Sequence, residues 1–177
     1  MQSYTDADVV LTARGLNLVP LTYELVERFV PHLSQANIEE FTSVLNMQPR
    51  AALQQVVNAP FSESYAIMAG DTPLAVTGVS QQLDSDVMWV SFSQELRKHF
   101  VKFTRASPAL IRFYHERYPT LTCDVWVKAE AIIQWLAMLD FEPEFEFAQN
   151  GESMIRFVRY CSEEESVVTC VERPVIH

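Results

Sequence analysis

Apolar residues in the first third of the chain recur at helical spacing. Leu25, Val26, Phe29, Val30 and Leu33 form one stripe, preceded by Leu21-Thr22, and predict a helix that ends near His32 to Ser34. Asn37, followed three residues later by Glu40, has the spacing of a capping box. It would open a second helix whose buried face is Ile38, Phe41, Val44 and Leu45. Pro49 suits the first turn of a third helix through Ala51, Leu53, Val56 and Val57, which Pro60 then breaks.

From Ser64 the period shortens. Tyr65 to Ala69, the turn residues Gly70-Asp71, and Leu74 to Val79 read as a hairpin. Val87 to Phe92, after the polar Asp84-Ser85-Asp86, adds a third antiparallel strand. A long helix is expected from about Glu95 to Arg117, then a strand from Leu121 to Val127 and a helix from about Lys128 to Leu139. Glu144 to Phe147 and Met154 to Val158 form a closing hairpin around Asn150-Gly151. The acidic Ser162 to Glu165 run reads as a solvated connector to Val167 to Val171, an added strand or extended tail. Residues 1–160 are therefore expected to form one α+β domain, a central mixed and mostly antiparallel sheet flanked by helices, with 161–177 as a C-terminal extension.

Composition narrows the function. A chain of 177 residues that is 49% hydrophobic can bury one substantial core. A net charge of -10 argues against broad nucleic-acid binding, which needs a basic face that releases counterions. No apolar run is long enough to span a bilayer, and the polar start from Met1 to Asp6 lacks the regions of a signal peptide, so no membrane segment and synthesis in a cytosol are expected. Cys123, Cys161 and Cys170 lack CxxC spacing and read as packed, reduced thiols.

The order of elements, with Ala131 to Glu142 as a helix that ends ahead of a Phe-led strand, resembles the acyl-CoA N-acyltransferase (GNAT) fold. In that family a glycine usually stands where this chain has Asp140, a residue that tolerates the left-handed conformation better than most. Pro73 to Val76, Trp89-Val90, the long basic helix, Tyr118 to Leu121 and Val125 to Val127 are similar to a family of small internal virion proteins of short-tailed bacteriophages. That resemblance spans roughly residues 6–160. It implies a packaged or assembly protein whose partners are other phage virion proteins, located in the virion after synthesis in the host cytoplasm.

The GNAT resemblance implies a CoA pyrophosphate held on backbone N–H groups by a Gln/Arg-x-x-Gly-x-Gly/Ala loop. The corresponding stretch here, Ser93 to His99, has no glycine, and Arg97 and Lys98 fall in its glycine region. The cofactor site is therefore expected to be lost, with no cofactor bound. If acetyl-CoA does bind, Gln94, Arg97, Lys98 and His99 are the residues implied. Arg97, Lys98, Lys102 and Arg105 gather at one end of the long helix, and could hold phosphates by side chains, dock an acidic partner protein or packaged DNA locally, or simply be solvated. Family logic places an acid on the helix after the fifth strand, where Ala129, Glu130, Ile133 and Gln134 offer neither tyrosine nor serine, and Glu130 fits a first-turn carboxylate. His32, His99, His115 and His177 are scattered, so no metal site and no catalytic residue are assigned. Trp89, Trp126 and Trp135 sit at apolar positions and read as core, as do Phe103, Ile111, Phe113 and Tyr114, although with Phe100 they could leave an apolar strip for a partner.

These observations lead to a non-catalytic phage virion component that acts through protein contacts in particle assembly or genome ejection. The alternative is an acetyl-CoA-dependent N-acetyltransferase acting on a host protein or small amine. An acidic inhibitor of a host protein is a third reading, for which the chain has no contiguous acidic array.

Overall fold

Thr22 and Ser34 set where the first helices begin. The computed structural model describes residues 11, 12 and 14–162. After a short strand β1 (Asn17–Pro20), the Thr22 hydroxyl accepts from Leu25 N at 3.2 Å and opens helix α1 (Tyr23–Phe29). A 3-10 turn (Val30–His32) containing Pro31 ends the stripe where the sequence places the boundary. Helix α2 (Gln35–Ser43) departs from expectation: Ser34, not Asn37, is the N-cap, and Asn37 lies within the first turn with its N–H on the Ser34 hydroxyl. Pro49 begins α3 (Pro49–Val57) as expected. β1 was not foreseen, because four residues ending in proline are too few to display an alternation.

Strands β2 (Ser62–Ala69), β3 (Thr72–Gln81) and β4 (Asp86–Phe92) form the antiparallel meander. Helix α4 (Leu96–His115), β5 (Thr120–Trp126), α5 (Glu130–Met138) and the hairpin β6 (Glu142–Gln149) with β7 (Glu152–Tyr160) complete the order. The seven strands run β1-β2-β3-β4-β5-β7-β6 in space, antiparallel throughout except between β4 and β5. Asn150 and Gly151 both take positive φ, 51° and 82°, as a two-residue turn of this kind demands. Asp140 also takes the left-handed conformation, φ 60°, where the resemblance places a glycine.

Alternation along the strands divides the core in two. Ala66, Met68 and Val76 face Val26, Phe29, Leu33, Phe41 and Leu53 of α1 to α3. Ile67, Ala75, Val79, Met88, Leu121, Cys123 and Val125 point the other way, onto Phe103, Leu110 and Tyr114 of α4 and Trp135 and Leu136 of α5. Each large side chain removed from water in these layers stabilises by roughly 1.5–3 kcal/mol. The Trp135 indole donates to Ser107 Oγ at 2.8 Å, and Ser107 Oγ donates to Phe103 O at 2.8 Å, which fastens α5 to α4 inside the core. Trp126 and Trp135 are buried and Trp89 packs against the α1 to α3 layer, in keeping with core roles. Of the aromatic residues on α4, Phe100 alone is exposed, next to exposed Val101, so the expected apolar strip shrinks to one end of the helix. The expected strand at Val167 to Val171, Cys170, His177 and the acidic run from Glu163 onward lie outside the described residues.

Candidate functional site

The sheet is weakest at its middle. β4 and β5 run parallel with a register of one pair, Val87 opposite Thr122, reinforced by the Thr122 hydroxyl donating to Asp86 O at 3.2 Å. Beyond that pair the strands part, leaving a wedge whose two sides are the later residues of β4 and of β5. Phe92 lies opposite Ala75 of β3, yet its N–H is not used on β3. On the far side, Val127 N bonds to Ser153 O in the direction of β7, while the Trp126 N–H is turned to the wedge. Parted strands carry unpaired edge groups that something must satisfy.

Helix α2 supplies that satisfaction. Asn37, 2% exposed, accepts the Phe92 N–H on Oδ1 at 2.8 Å and also the Ser34 hydroxyl at 2.9 Å. Its amide nitrogen donates to Glu40 Oε2 at 3.1 Å, which sets the Glu40 carboxylate toward the Trp126 backbone N–H of β5. The Phe92 carbonyl accepts Ser34 N at 2.9 Å. One helical turn therefore joins the free edge of β4 to the free edge of β5. Burial raises the Glu40 pKa above its ordinary value, against the two hydrogen bonds that lower it. Burial also pushes the Cys123 thiol up, with Glu40 and Asp124 adding to the shift, so this cysteine is an inert core residue. The pair Asn37 and Glu40 was visible in the sequence but read as a helix cap. The informative signal was that Asn37 and Phe41, four apart, share the buried face of α2, which puts an amide where an apolar residue is expected.

The turn into α4 shows how little room it has for phosphate. Three residues, Ser93 to Glu95, separate β4 from the helix. Ser93 N bonds to Leu74 O at 2.9 Å, Gln94 N to His32 O at 2.8 Å, Leu96 N to Ser93 O at 3.2 Å and Lys98 N to Glu95 O at 3.1 Å. Glu95 N bonds to Ser93 Oγ at 3.1 Å, and the Gln94 amide donates to Leu33 O at 3.1 Å. These donors are spent within the protein, so the turn does not fit a pyrophosphate held on backbone N–H groups. Gln94 is a brace between β4 and the 3-10 turn. The nearest groove, about 410 Å³, is bordered by Arg28 and His32 but also by Asp71 and Glu95, whose carboxylates oppose an anion.

The cationic candidates share one helix, α4. Arg97, Lys102 and Arg105 are exposed on α4 and Lys98 pairs with Glu95 at 2.7 Å, a contact that holds Glu95 below the usual carboxylate range. His99 is half-buried between them. Glu130 is exposed in the first turn of α5, as a helix-dipole partner would be. Among the described residues no group of three or more His, Cys, Asp or Glu is placed to hold a metal ion, and no helix is long and apolar enough to cross a membrane.

No protein-family model and no curated protein sequence matches the chain. Solved structures do. The acetyl transferase from Salmonella typhimurium that modifies the N-terminal serine of 50S ribosomal subunit protein L7/L12 superposes with a TM-score of 0.65 at 13% identity, over 84% of this chain and 96% of that one. AAC(6')-Ib in complex with ribostamycin and coenzyme A gives 0.64 at 13% identity, over 90% and 99%. A structure from Chromobacterium violaceum assigned to the GNAT family gives 0.63 at 16%, over 82% and 87%. The class that the fold defines is thus the GNAT acetyltransferase fold, an α+β architecture around a mostly antiparallel seven-stranded sheet.

These neighbours correct the functional expectation. A non-catalytic virion component acting in particle assembly or genome ejection finds no counterpart among them, and the resemblance to internal virion proteins is not reproduced by any comparison. The structures that share the fold are acetyltransferases, two of them holding coenzyme A, which favours the alternative reading and leaves the expectation of no cofactor without support. The physical reason for the error is plain. The absence of glycine after β4 bears only on one way of holding phosphate, on backbone N–H groups, and leaves side-chain contacts open.

Proposed function

We propose that the chain is an acyl-CoA-dependent N-acyltransferase that transfers an acetyl group to an amine of a protein or small molecule. The observation that carries this reading is the parting of β4 from β5 after a single register pair, in a fold shared with coenzyme A-binding acetyltransferases. A parted pair of parallel strands offers a slot with backbone donors on both sides, and the Phe92 N–H sits on the edge of β4 where a thioester carbonyl could be polarised. Because the turn at 93–95 has spent its amides, the phosphates would be met by side chains: Arg97, Lys98 and Lys102, with His99 and Arg105 beside them. Gln94 is excluded from that set by its bond to Leu33 O. Bound coenzyme would supply the activated thioester; the chain's own part is to grip, orient and exclude water.

The test is calorimetric titration of the full chain with acetyl-CoA, followed by release of the free thiol in the presence of an amine. Saturable binding is expected, on the order of 0.1 mM or about -5.5 kcal/mol, since side-chain contacts replace a pre-formed cradle. Arg97→Glu combined with Lys102→Glu should weaken it about tenfold or more, whereas Arg112→Glu, farther along the same helix, should not. No heat and no thermal stabilisation at millimolar acetyl-CoA would remove the reading.

A further inference from the structure

The wedge between β4 and β5 is not an open slot here, because α2 lies across it. Asn37 bonds to Glu40 and takes the Phe92 N–H of β4, and the Glu40 carboxylate faces the Trp126 N–H of β5. Ser34, at the helix start, holds the Phe92 carbonyl. Every one of these contacts lands on the wall that an acyl-thioester would need, and Phe92 cannot offer its N–H to two acceptors at once. Elsewhere, α2 is seated chiefly toward its C-terminal end, by Phe41, by half-buried Ile38 and by the fully buried C-cap Val44, whose carbonyl accepts Asn150 Nδ2 at 2.6 Å. Of its nine residues, two, Asn37 and Phe41, are buried, while Gln35, Ala36, Glu39 and Thr42 are exposed. It is also short, and short helices depend on tertiary contacts for their stability.

We propose that α2 is a latch across the acyl slot: the Asn37–Glu40 pair mimics the backbone contacts of the missing β4–β5 ladder in the closed state, and α2 must withdraw before an acyl-CoA can enter. This inference rests on the acyltransferase reading. It follows that the apparent affinity for acyl-CoA is the affinity of the open form multiplied by the fraction of molecules in it. A substitution that breaks the latch therefore has an unusual signature. It lowers the stability of the protein and tightens the ligand, whereas loss of an ordinary structural contact weakens both.

The experiment uses the full chain and two readouts. Native-state hydrogen exchange on the wild type follows the amides of Phe92 and Trp126 at increasing denaturant, without ligand. Calorimetry compares acetyl-CoA binding to the wild type, to Asn37→Ala, and to Asn37→Asp, which keeps an acceptor for Phe92 but sets a carboxylate against Glu40. The two amides should exchange together through an opening less costly than global unfolding. Asn37→Ala should bind acetyl-CoA about tenfold more tightly despite a lower midpoint of unfolding, with Asn37→Asp between it and the wild type. Exchange of both amides only by global unfolding would overturn the latch, as would affinity that is unchanged or weaker in variants that fold. Exchange through the partial opening, with no acetyl-CoA binding by any form, would overturn the acyltransferase reading instead and take from the latch its occupant.

Discussion

Gly78 shows what a single residue can require that no sequence pattern displays. It has no unusual φ; its need for glycine is one of space. A Cβ built there would lie 2.3 Å from the Glu63 carbonyl oxygen and 2.6 Å from the Trp89 ring, so the indole packs directly against the bare backbone of β3. Backbone cannot yield as a flexible side chain can. Gly78→Ala should therefore destabilise the fold by about 2–3 kcal/mol, read as a lower midpoint of denaturation with an unchanged slope. Asp140 makes the opposite case. Its left-handed φ of 60° was legible from the resemblance, because a position that is glycine elsewhere points to that conformation. Asp140→Gly should raise stability by about 0.5–1 kcal/mol, the relief of the Cβ outweighing the greater freedom of the unfolded chain. A variant less stable than the wild type would mean that the aspartate contributes something besides its conformation.

At the scale of elements, periodicity served well and chemistry served poorly. Helices α1, α3, α4 and α5 and the strands of both hairpins follow from spacing, proline placement and the Asn150-Gly151 turn, although α1 gives way to the 3-10 turn at Val30, ahead of its expected end, and β2 begins at Ser62, ahead of Tyr65. The start of α2 did not, because Ser34 and Asn37 are both good caps and one turn apart, and only the neighbouring strands decide which of them caps. The bridge from α2 to Phe92 and Trp126 joins residues more than fifty positions apart, and no local rule reaches that far. The same holds for α4 and α5. Ser107 looks like an incidental small residue in a helix, yet it accepts the buried Trp135 indole N–H and passes a hydrogen bond to Phe103 O. Ser107→Ala would leave that indole without an acceptor and should cost about 1–3 kcal/mol, whereas Ser107→Thr keeps the hydroxyl. Equal stability of the alanine variant and the wild type would show that α5 is seated by apolar contact alone.

The molecule as a whole is two half-sheets, β1 to β4 and β5 to β7, joined by one register pair, by α4, and by the Asn37–Glu40 bridge. A titratable group at that joint makes global stability depend on pH in a definite sense. Glu40 has its folded pKa raised above 4.5, chiefly by burial, so the folded state binds its proton more tightly than the unfolded state does. Its contribution is fully present below pH 4.5 and is lost as pH rises through the folded pKa, the reverse of the usual acid-labile carboxylate. Glu95 and Glu152 work the other way, since hydrogen bonds from Lys98 and from the Trp126 indole hold them low, and both are lost on acidification. Comparing the wild type with Glu40→Gln cancels those common terms and isolates the joint. Glutamine keeps an acceptor for the Trp126 N–H but does not titrate, so the wild type should gain stability relative to the variant as pH falls from 7 toward 4.5. A difference between the two proteins that stays constant over that range would show that the unfolded and folded states hold the Glu40 proton equally, and that the two half-sheets are not coupled through this carboxyl.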